Sequence, residues 1–148
     1  MPANSEPIYT RQGDVSRDGT STTSSALAPT ITTATGDYTG ASANHAVCFT
    51  ADSTNGGYIS RLRFQATGTN VASVARIYIN NGGANTTAAN NGFYGQVSLP
   101  ATTAINTAAT TEIDYPMNFA LNPGFRIVVG LGTTVAAGWV VTAIGGRY

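Results

Sequence analysis

Charged residues are scarce in this chain, and lysine is missing altogether. Only 9% of the 148 residues are charged, and all seven basic residues are arginines, balanced by seven acidic residues to a formal net charge of zero. In soluble domains about a quarter of the residues are usually charged. A neutral chain lacks the positive surface that binds nucleic-acid phosphates or anionic membranes, so we expect neither nucleic acid nor a membrane as a partner.

The side chains that most often carry catalytic or metal chemistry are nearly absent. Cys48 is the only cysteine and His45 the only histidine, so an intrachain disulfide is impossible and a histidine-based triad or metal centre lacks partners. Cys48 lies in an apolar run, which predicts a buried thiol. We therefore expect no enzymatic activity, no cofactor and no catalytic residue. Four loop aspartates leave a surface calcium site open as an alternative to turn-capping roles: Asp14, Asp18, Asp37 and Asp52.

Long apolar runs and helical periodicity are missing as well. No run approaches the ~18–20 apolar residues of a membrane-spanning helix, and no stretch repeats its apolar residues at helical spacing. The N-terminal residues lack the basic and apolar regions of a signal peptide. We expect a protein with little helix that is made and folded in a cytoplasm.

Short strand-like runs dominate the chain from residue 44 onward. β-branched and aromatic residues are concentrated in seven runs that Gly, Asn and Pro separate. Seven short strands within about a hundred residues predict an all-β fold, either a β-sandwich or a small barrel, and an antiparallel, jelly-roll-like β-sandwich is our first choice. The predicted strands are 44–50, 57–66, 71–80, 93–99, 111–121, 124–132 and 138–146.

Two connections between these runs carry specific expectations. Asn122-Pro123-Gly124 has the residues of a tight turn, so we expect 111–121 and 124–132 to form a hairpin. Pro116 indicates that the first of these strands is an edge strand or carries a bulge. The connection from Asn80 to Gly92 is too long for a tight hairpin and predicts either a crossing between sheets or a surface loop at one end of the sandwich.

Alternation assigns faces to the strands. In 111–121 the odd-numbered residues from Ile113 to Leu121 share the inward face. In 57–66 the pattern places Tyr58 inward with Leu62, and Ile59 outward with the arginines. Trp139 is expected to pack in the core.

Residues 1–43 differ in composition from the remaining chain. They are rich in Thr, Ser, Gly and Ala, with widely spaced apolar residues, and such a segment supplies little core of its own. We interpret it as an extended, partly irregular N-terminal arm, and 44–148 as the β-sandwich domain. An arm that docks on a neighbouring subunit and a mobile tail or added edge strand remain alternatives.

Outward arginines are the most suggestive polar feature. Arginine is favoured at protein interfaces because its planar guanidinium group binds carboxylates with two hydrogen bonds. Intramolecular pairing with Glu112 and Asp114 is the alternative. The candidate interface with another subunit or with a binding partner comprises three residues of the arm and four of the predicted strands: Ile8, Tyr9, Arg11, Arg61, Arg63, Arg76 and Arg126.

Several runs resemble small virion proteins of bacteriophages. They are 7–11 (PIYTR), 70–80 (NVASVARIYIN), 92–95 (GFYG), 99–103 (LPATT) and 126–130 (RIVVG) through Trp139. The chain resembles the head decoration, or cement, proteins. That resemblance implies a β-sandwich on the outside of the capsid, bound to the major capsid protein, often as a homotrimer, and located on the virion. It implies no catalytic residues.

A carbohydrate- or receptor-binding sandwich of a phage tail or fibre is the alternative function. Sugar rings stack on exposed aromatic side chains. The candidates for such stacking are Tyr38, Tyr58, Tyr94, Trp139 and Tyr148.

Overall fold

Two antiparallel β-sheets pack face to face in the computed structural model, which describes residues 12–15, 29–35, 38 and 40–148. The prediction of an all-β antiparallel sandwich is confirmed. No helix among these residues is long and apolar enough to cross a membrane. The strands are β1 (Gln12–Val15), β2 (Thr30–Ile31), β3 (Ala46–Thr50), β4 (Gly57–Ala66), β5 (Ser73–Asn80), β6 (Asn91–Leu99), β7 (Glu112–Leu121), β8 (Arg126–Leu131) and β9 (Trp139–Arg147), with one 3₁₀ turn at Ala88–Asn90.

The pairing of the strands is nested. The first sheet has the order β1-β9-β4-β7, with β2 pairing another part of β9, and the second sheet has the order β3-β8-β5-β6. β5 pairs with β6, β4 with β7, β3 with β8 and β1 with β9. Each pair therefore encloses the one before it, as if one long hairpin had been folded over itself to make the two sheets.

The turn at Asn122–Gly124 joins strands of opposite sheets, so the predicted hairpin is wrong. β7 pairs with β4 in the first sheet, whereas β8 pairs with β3 and β5 in the second. Gly124 takes a positive φ of 73°, and its amide donates to the carbonyl of Asp52 at 3.0 Å. The turn residues predicted the reversal of the chain correctly. They could not distinguish a return within one sheet from a crossing, because both keep the apolar faces of β7 and β8 on the shared core.

The connection from Asn80 to Gly92 is a surface loop and does not cross between sheets. β5 and β6, which it joins, are neighbours in the second sheet. Buried amides hold the loop: Asn80 donates to Asn91 Oδ1 at 2.7 Å, and Asn91 donates to the carbonyls of Asn85 and Thr87 at 2.9 and 3.2 Å. Of the two alternatives, the loop at one end of the sandwich is therefore correct.

The core lies between the sheets and follows most of the predicted faces. Trp139, Phe64 and Ile77 are completely buried, and Cys48 is a buried free thiol whose pKa burial raises. The expected outward position of Ile59 is wrong, because Ile59 is completely buried. A bulge between Ile59 and Arg61 shifts the pairing with both neighbouring strands. Because a bulge inserts one extra residue, the side chains before it in the strand point to the opposite faces from those that simple alternation predicts.

The described parts of the 1–43 segment belong to the sandwich. β1 and β2 pair with β9 in the first sheet, and Ile31 is one of the core residues. Thr35 donates its amide to the carbonyl of Leu131 at 2.8 Å, which leads the chain onto the outside of the second sheet. In these ranges the segment follows the edge-strand alternative. Three candidate interface residues fall outside the described ranges: Ile8, Tyr9 and Arg11.

Candidate interaction surfaces

The outer face of the first sheet carries arginines that are paired within the chain. Arg63 lies opposite Asp114 in the register of β4 and β7. It binds that carboxylate with two hydrogen bonds, of 2.9 Å from Nε and 3.2 Å from Nη2. Glu112 lies 3.2 Å from Arg63 Nε, and Arg61 lies 3.5 Å from Asp114. For these two arginines the intramolecular alternative is the one observed.

The electrostatic result of this pairing is a neutral cluster of two arginines and two carboxylates on this face. The hydrogen bonds from Arg63 lower the pKa of Asp114 below its usual value, and its positive charge adds to the effect. The carboxylate therefore stays ionised across the neutral range and keeps both guanidinium groups balanced. Since the side chains remain about two-fifths exposed, water screens the pairs, and such exposed pairs add little to stability.

The outer face of the second sheet carries an aromatic patch, which we define as Tyr38, His45, Tyr78 and Phe93. Phe93 contacts Tyr38 and Tyr78 edge to face, with ring centroids 5.3 and 5.6 Å apart. His45 packs against Tyr78 at 4.8 Å. Although Tyr78 points away from the core, Gly40 and His45 pack on its ring, and its side chain is completely buried.

Two members of the aromatic patch remain open to solvent. Tyr38 is 55% exposed and Phe93 is 46% exposed. The guanidinium carbon of Arg76 lies 4.4 Å from the centre of the Tyr38 ring, which is the geometry of a cation–π contact. The Tyr38 hydroxyl donates to Gln96 Oε1 at 3.2 Å. The patch therefore offers two exposed rings with a guanidinium and an amide beside them.

The four strand arginines do not form one surface. Arg61 and Arg63 lie on β4 in the first sheet, whereas Arg76 and Arg126 lie on β5 and β8 in the second. Arg76 pairs in register with Gly130 of β8, four residues beyond Arg126, a separation of about 13 Å along a strand. Only Arg76 contacts the aromatic patch, so an interface on one face includes at most two of the four.

His45 is buried in the patch without a hydrogen-bond partner. The residue is 5% exposed, and neither ring nitrogen has a partner among the described residues. Burial lowers the pKa of His45, because the charged ring would lose its hydration. The imidazole is thus a neutral ring that packs against Tyr78, and it is not arranged as a base or a metal ligand.

β6 forms an uncharged free edge of the second sheet next to the aromatic patch. Its nine residues include neither a charged side chain nor proline. The carbonyl of Val74 accepts from Gly132 at 2.8 Å, on the side of β8. Backbone N–H and C=O groups alternate in direction along an antiparallel strand. The backbone groups of residues 75 and 77 therefore point to β6, where their partners are Val97 and Gly95. By this alternation, the backbone groups of Gln96 and Ser98 point to the free side of β6.

The facing edge of the first sheet is β7, and aromatic side chains fill the gap between the two edges. Tyr94 of β6, 40% exposed, contacts Phe119 and Tyr115 of β7, with ring centroids 5.2 and 6.4 Å apart. β7 itself is a poor template for another strand, because it contains Pro116 and because Asn118 has a positive φ of 55°. Of these two edges, β6 is the one that can accept a strand.

Residue composition alone pointed to only part of these surfaces. Tyr38 and Tyr94 were among the aromatic candidates and are exposed, whereas Trp139 is in the core. Phe93 was missed. The signal was available, because adjacent residues of a strand face opposite sides and so Phe93 and Tyr94 cannot both point into the core.

The described residues bring no set of metal ligands together. Among them, no three His, Cys, Asp or Glu side chains lie close enough to hold a metal ion. Asp52 caps a turn, since its Oδ1 accepts from the amides of Thr54 and Asn55 at 2.9 and 2.8 Å. These bonds lower its pKa. The side chains of Asp14, Asp18 and Asp37 fall outside the described ranges.

No protein-family model matches the chain, and searches of curated proteins and of solved structures give no significant match either.

Proposed function

We propose that this protein is a capsid decoration protein, a non-catalytic sandwich that binds the outer face of a phage shell formed by the major capsid protein. The observation that carries the proposal is the exposed aromatic patch beside an uncharged free edge. Exposed aromatic residues with an adjacent arginine are enriched where proteins bind one another. The nested strand order supports the jelly-roll-like assignment, and the resemblance of the sequence to cement proteins supports the virion as the location.

The neutral surface supports the same proposal. A protein with so few charges has little electrostatic protection against association, which suits a component that is held in an assembly. On the first sheet Arg61 and Arg63 already pair with Glu112 and Asp114. The second sheet instead exposes aromatic rings that a partner can cover, and we assign the capsid contact to it. Assembly as a homotrimer is part of the proposal.

Co-sedimentation with empty shells assembled from the major capsid protein of the encoding phage tests the proposal. Tyr38→Ala combined with Phe93→Ser removes the exposed rings, and Ser98→Pro blocks the free edge of β6. Arg63→Ser on the opposite sheet is the matched surface control. We expect the control to bind as the wild type does and the patch variant to lose binding. Absence of wild-type binding would refute the decoration role, and equal binding of all variants would refute the assigned surface.

Glycan binding is the second candidate function, and the same patch favours it. Two half-exposed rings flanked by the Gln96 amide and the Arg76 guanidinium provide a stacking surface together with hydrogen-bonding groups, which are the two elements that sugar binding needs. A glycan array separates the two functions. Retention of specific glycans by the wild type, with loss in Phe93→Ser and no binding to shells, would support a receptor-binding role in a tail or fibre.

A further inference from the structure

The sequence contains three Asn-Gly pairs: Asn55-Gly56, Asn81-Gly82 and Asn91-Gly92. In such a pair the backbone nitrogen of glycine can attack the side-chain carbonyl of asparagine, because glycine has no Cβ to hinder the approach. The fold gives the three asparagines very different surroundings. We propose that Asn55 is a site of spontaneous deamidation and isoaspartate formation in the folded protein, and that the structure protects the other two.

Asn91 is held on every side. It is 7% exposed, and its Nδ2 donates to the carbonyls of Gly40, Asn85 and Thr87 at 3.0, 2.9 and 3.2 Å. Its Oδ1 accepts from Asn80 at 2.7 Å. The side-chain carbon reaches the nitrogen of Gly92 only if all four bonds break inside the fold.

Asn81 is exposed, but both of its amide atoms and the attacking nitrogen are engaged. Oδ1 accepts from the amide of Gly83 at 3.0 Å, and Nδ2 donates to Asn90 at 3.2 Å. The attacking nitrogen of Gly82 donates to Asn80 Oδ1 at 2.8 Å. Reaction here therefore requires the simultaneous loss of three hydrogen bonds.

Asn55 is exposed in the turn between β3 and β4, although Gly56 beside it is buried, and its side chain has fewer constraints. Gly56 donates to the carbonyl of Asp52 at 3.1 Å, so one backbone bond must open before the nitrogen can attack. The side-chain amide of Asn55 forms a hydrogen bond with the exposed Asp52 carboxylate, and water can replace the carboxylate as its partner. The two reacting groups, the Gly56 nitrogen and the Asn55 side chain, are thus held by one turn bond and one solvent-exposed contact.

The reaction balances without any added reagent except water. The nitrogen of Gly56 loses its proton to solvent and forms a bond to Cγ of Asn55. The bond from Cγ to Nδ2 then breaks as Nδ2 takes up a proton from solvent and leaves as ammonia. Water then adds to one of the two carbonyls of the resulting succinimide ring. Opening at one carbonyl gives aspartate, and opening at the other gives isoaspartate, in which the main chain passes through Cβ.

The product disturbs one end of the sandwich. The turn carries two bonds to other segments, from Gly124 to the carbonyl of Asp52 at 3.0 Å and from Tyr148 to the carbonyl of Gly56 at 3.3 Å. An added main-chain carbon has little room, because even a Cβ on Gly56 would meet the carbonyl oxygen of Leu121. The new carboxylate also lies beside Asp52. We expect the thermal midpoint to fall as the isoaspartate accumulates.

Ageing of the folded full-length protein in mildly alkaline buffer tests the proposal. Peptide mapping by mass spectrometry measures the conversion of each asparagine to acid, and methylation by an isoaspartyl methyltransferase with labelled S-adenosylmethionine counts the isoaspartate. A parallel sample is aged in guanidinium chloride, where no fold protects any site. We expect conversion at Asn55 to be severalfold faster than at Asn81 and Asn91 in the folded sample, and the three rates to converge in denaturant.

The control variant is Asn55→Gln, whose longer side chain closes the ring far more slowly. It should keep both its methyl-acceptor count and its thermal midpoint unchanged over the same period. Conversion at Asn81 or Asn91 as fast as at Asn55 in the folded sample would overturn the proposal. Conversion of Asn55 in denaturant alone would overturn it as well, because the turn would then be protective.

Discussion

Replacing Asn70 by alanine tests how far one buried amide holds three loops at one end of the sandwich. Asn70 Oδ1 accepts from the backbone amides of Ala137 and Gly138 at 2.9 and 2.8 Å. Its Nδ2 donates to the carbonyl of Gly138 at 3.1 Å and to the Gly68 carbonyl and the Thr102 hydroxyl, both at 3.3 Å. The loops that follow β4, β6 and β8 therefore meet at this one side chain.

The substitution removes five hydrogen bonds and leaves the two backbone amides without an acceptor. Each buried donor without a partner costs about 1–3 kcal/mol, so we expect a loss of about 3–5 kcal/mol after partial relaxation of the loops. In a domain of this size that loss corresponds to a fall in Tm of about 10–15 °C. The proposed binding surface lies on the second sheet, away from these loops, so any shell or glycan binding should persist below Tm.

Thermal and urea denaturation measure this loss, with Asn106→Ala as the matched control. Asn106 is exposed in the loop between β6 and β7, and the same substitution there should change the free energy of unfolding by less than about 0.5 kcal/mol. An unchanged urea m-value would show that the unfolded state is the same. A loss below about 1 kcal/mol for Asn70→Ala would refute the reasoning, because a water molecule would then replace the amide at little cost.

Three further perturbations test the core, the aromatic patch and the paired face. Truncating the completely buried Phe64 to alanine should cost about 3–5 kcal/mol by urea denaturation. Burial lowers the pKa of His45 from 6.5, so the unfolded chain binds more protons than the folded one below that pH. The stability that the neutral ring contributes is therefore complete above about pH 6.5 and is lost as the pH falls toward the folded-state pKa. His45→Phe should remove this part of the pH dependence of the urea midpoint, and an unchanged slope would contradict it. Asp114→Asn should leave Tm nearly unchanged, because its ion pairs are exposed, and a large fall in Tm would count against that view.

The sequence predicted the strands well because period-two alternation is a local property. The seven predicted strands of 44–148 all exist, and the inward face of β7 and the burial of Cys48 and Trp139 follow from the pattern. Pairing could not be predicted in the same way. The turn before β8 looks the same whether the chain returns in its own sheet or crosses to the other, and the bulge that buries Ile59 is set by its register with β7 and β9.

The candidate site depended even more on contacts between distant residues. Alternation along the strands identified Arg61, Arg63 and Arg76 as outward residues, but only the register of β4 with β7 shows that the first two pair with carboxylates within the chain. Tyr78 and His45 lie 33 residues apart, and no pattern in the sequence predicts that His45 covers Tyr78. The amide interactions of Asn70 and Asn91 were equally invisible, because asparagine in a Gly-rich run reads as a turn residue.

The contrast between the two outer faces gives the proposed function its physical basis. On the first sheet, Arg61 and Arg63 already have carboxylate partners, so a binding partner would have to replace those pairs and gain little. On the second sheet, the rings of Tyr38 and Phe93 remain in water although the chain covers Tyr78 directly beneath them. A partner that covers these rings buries the apolar area that now faces water, and this burial favours binding. Binding through the second sheet also leaves the neutral first sheet facing solvent, as expected of a protein attached to the outside of a shell.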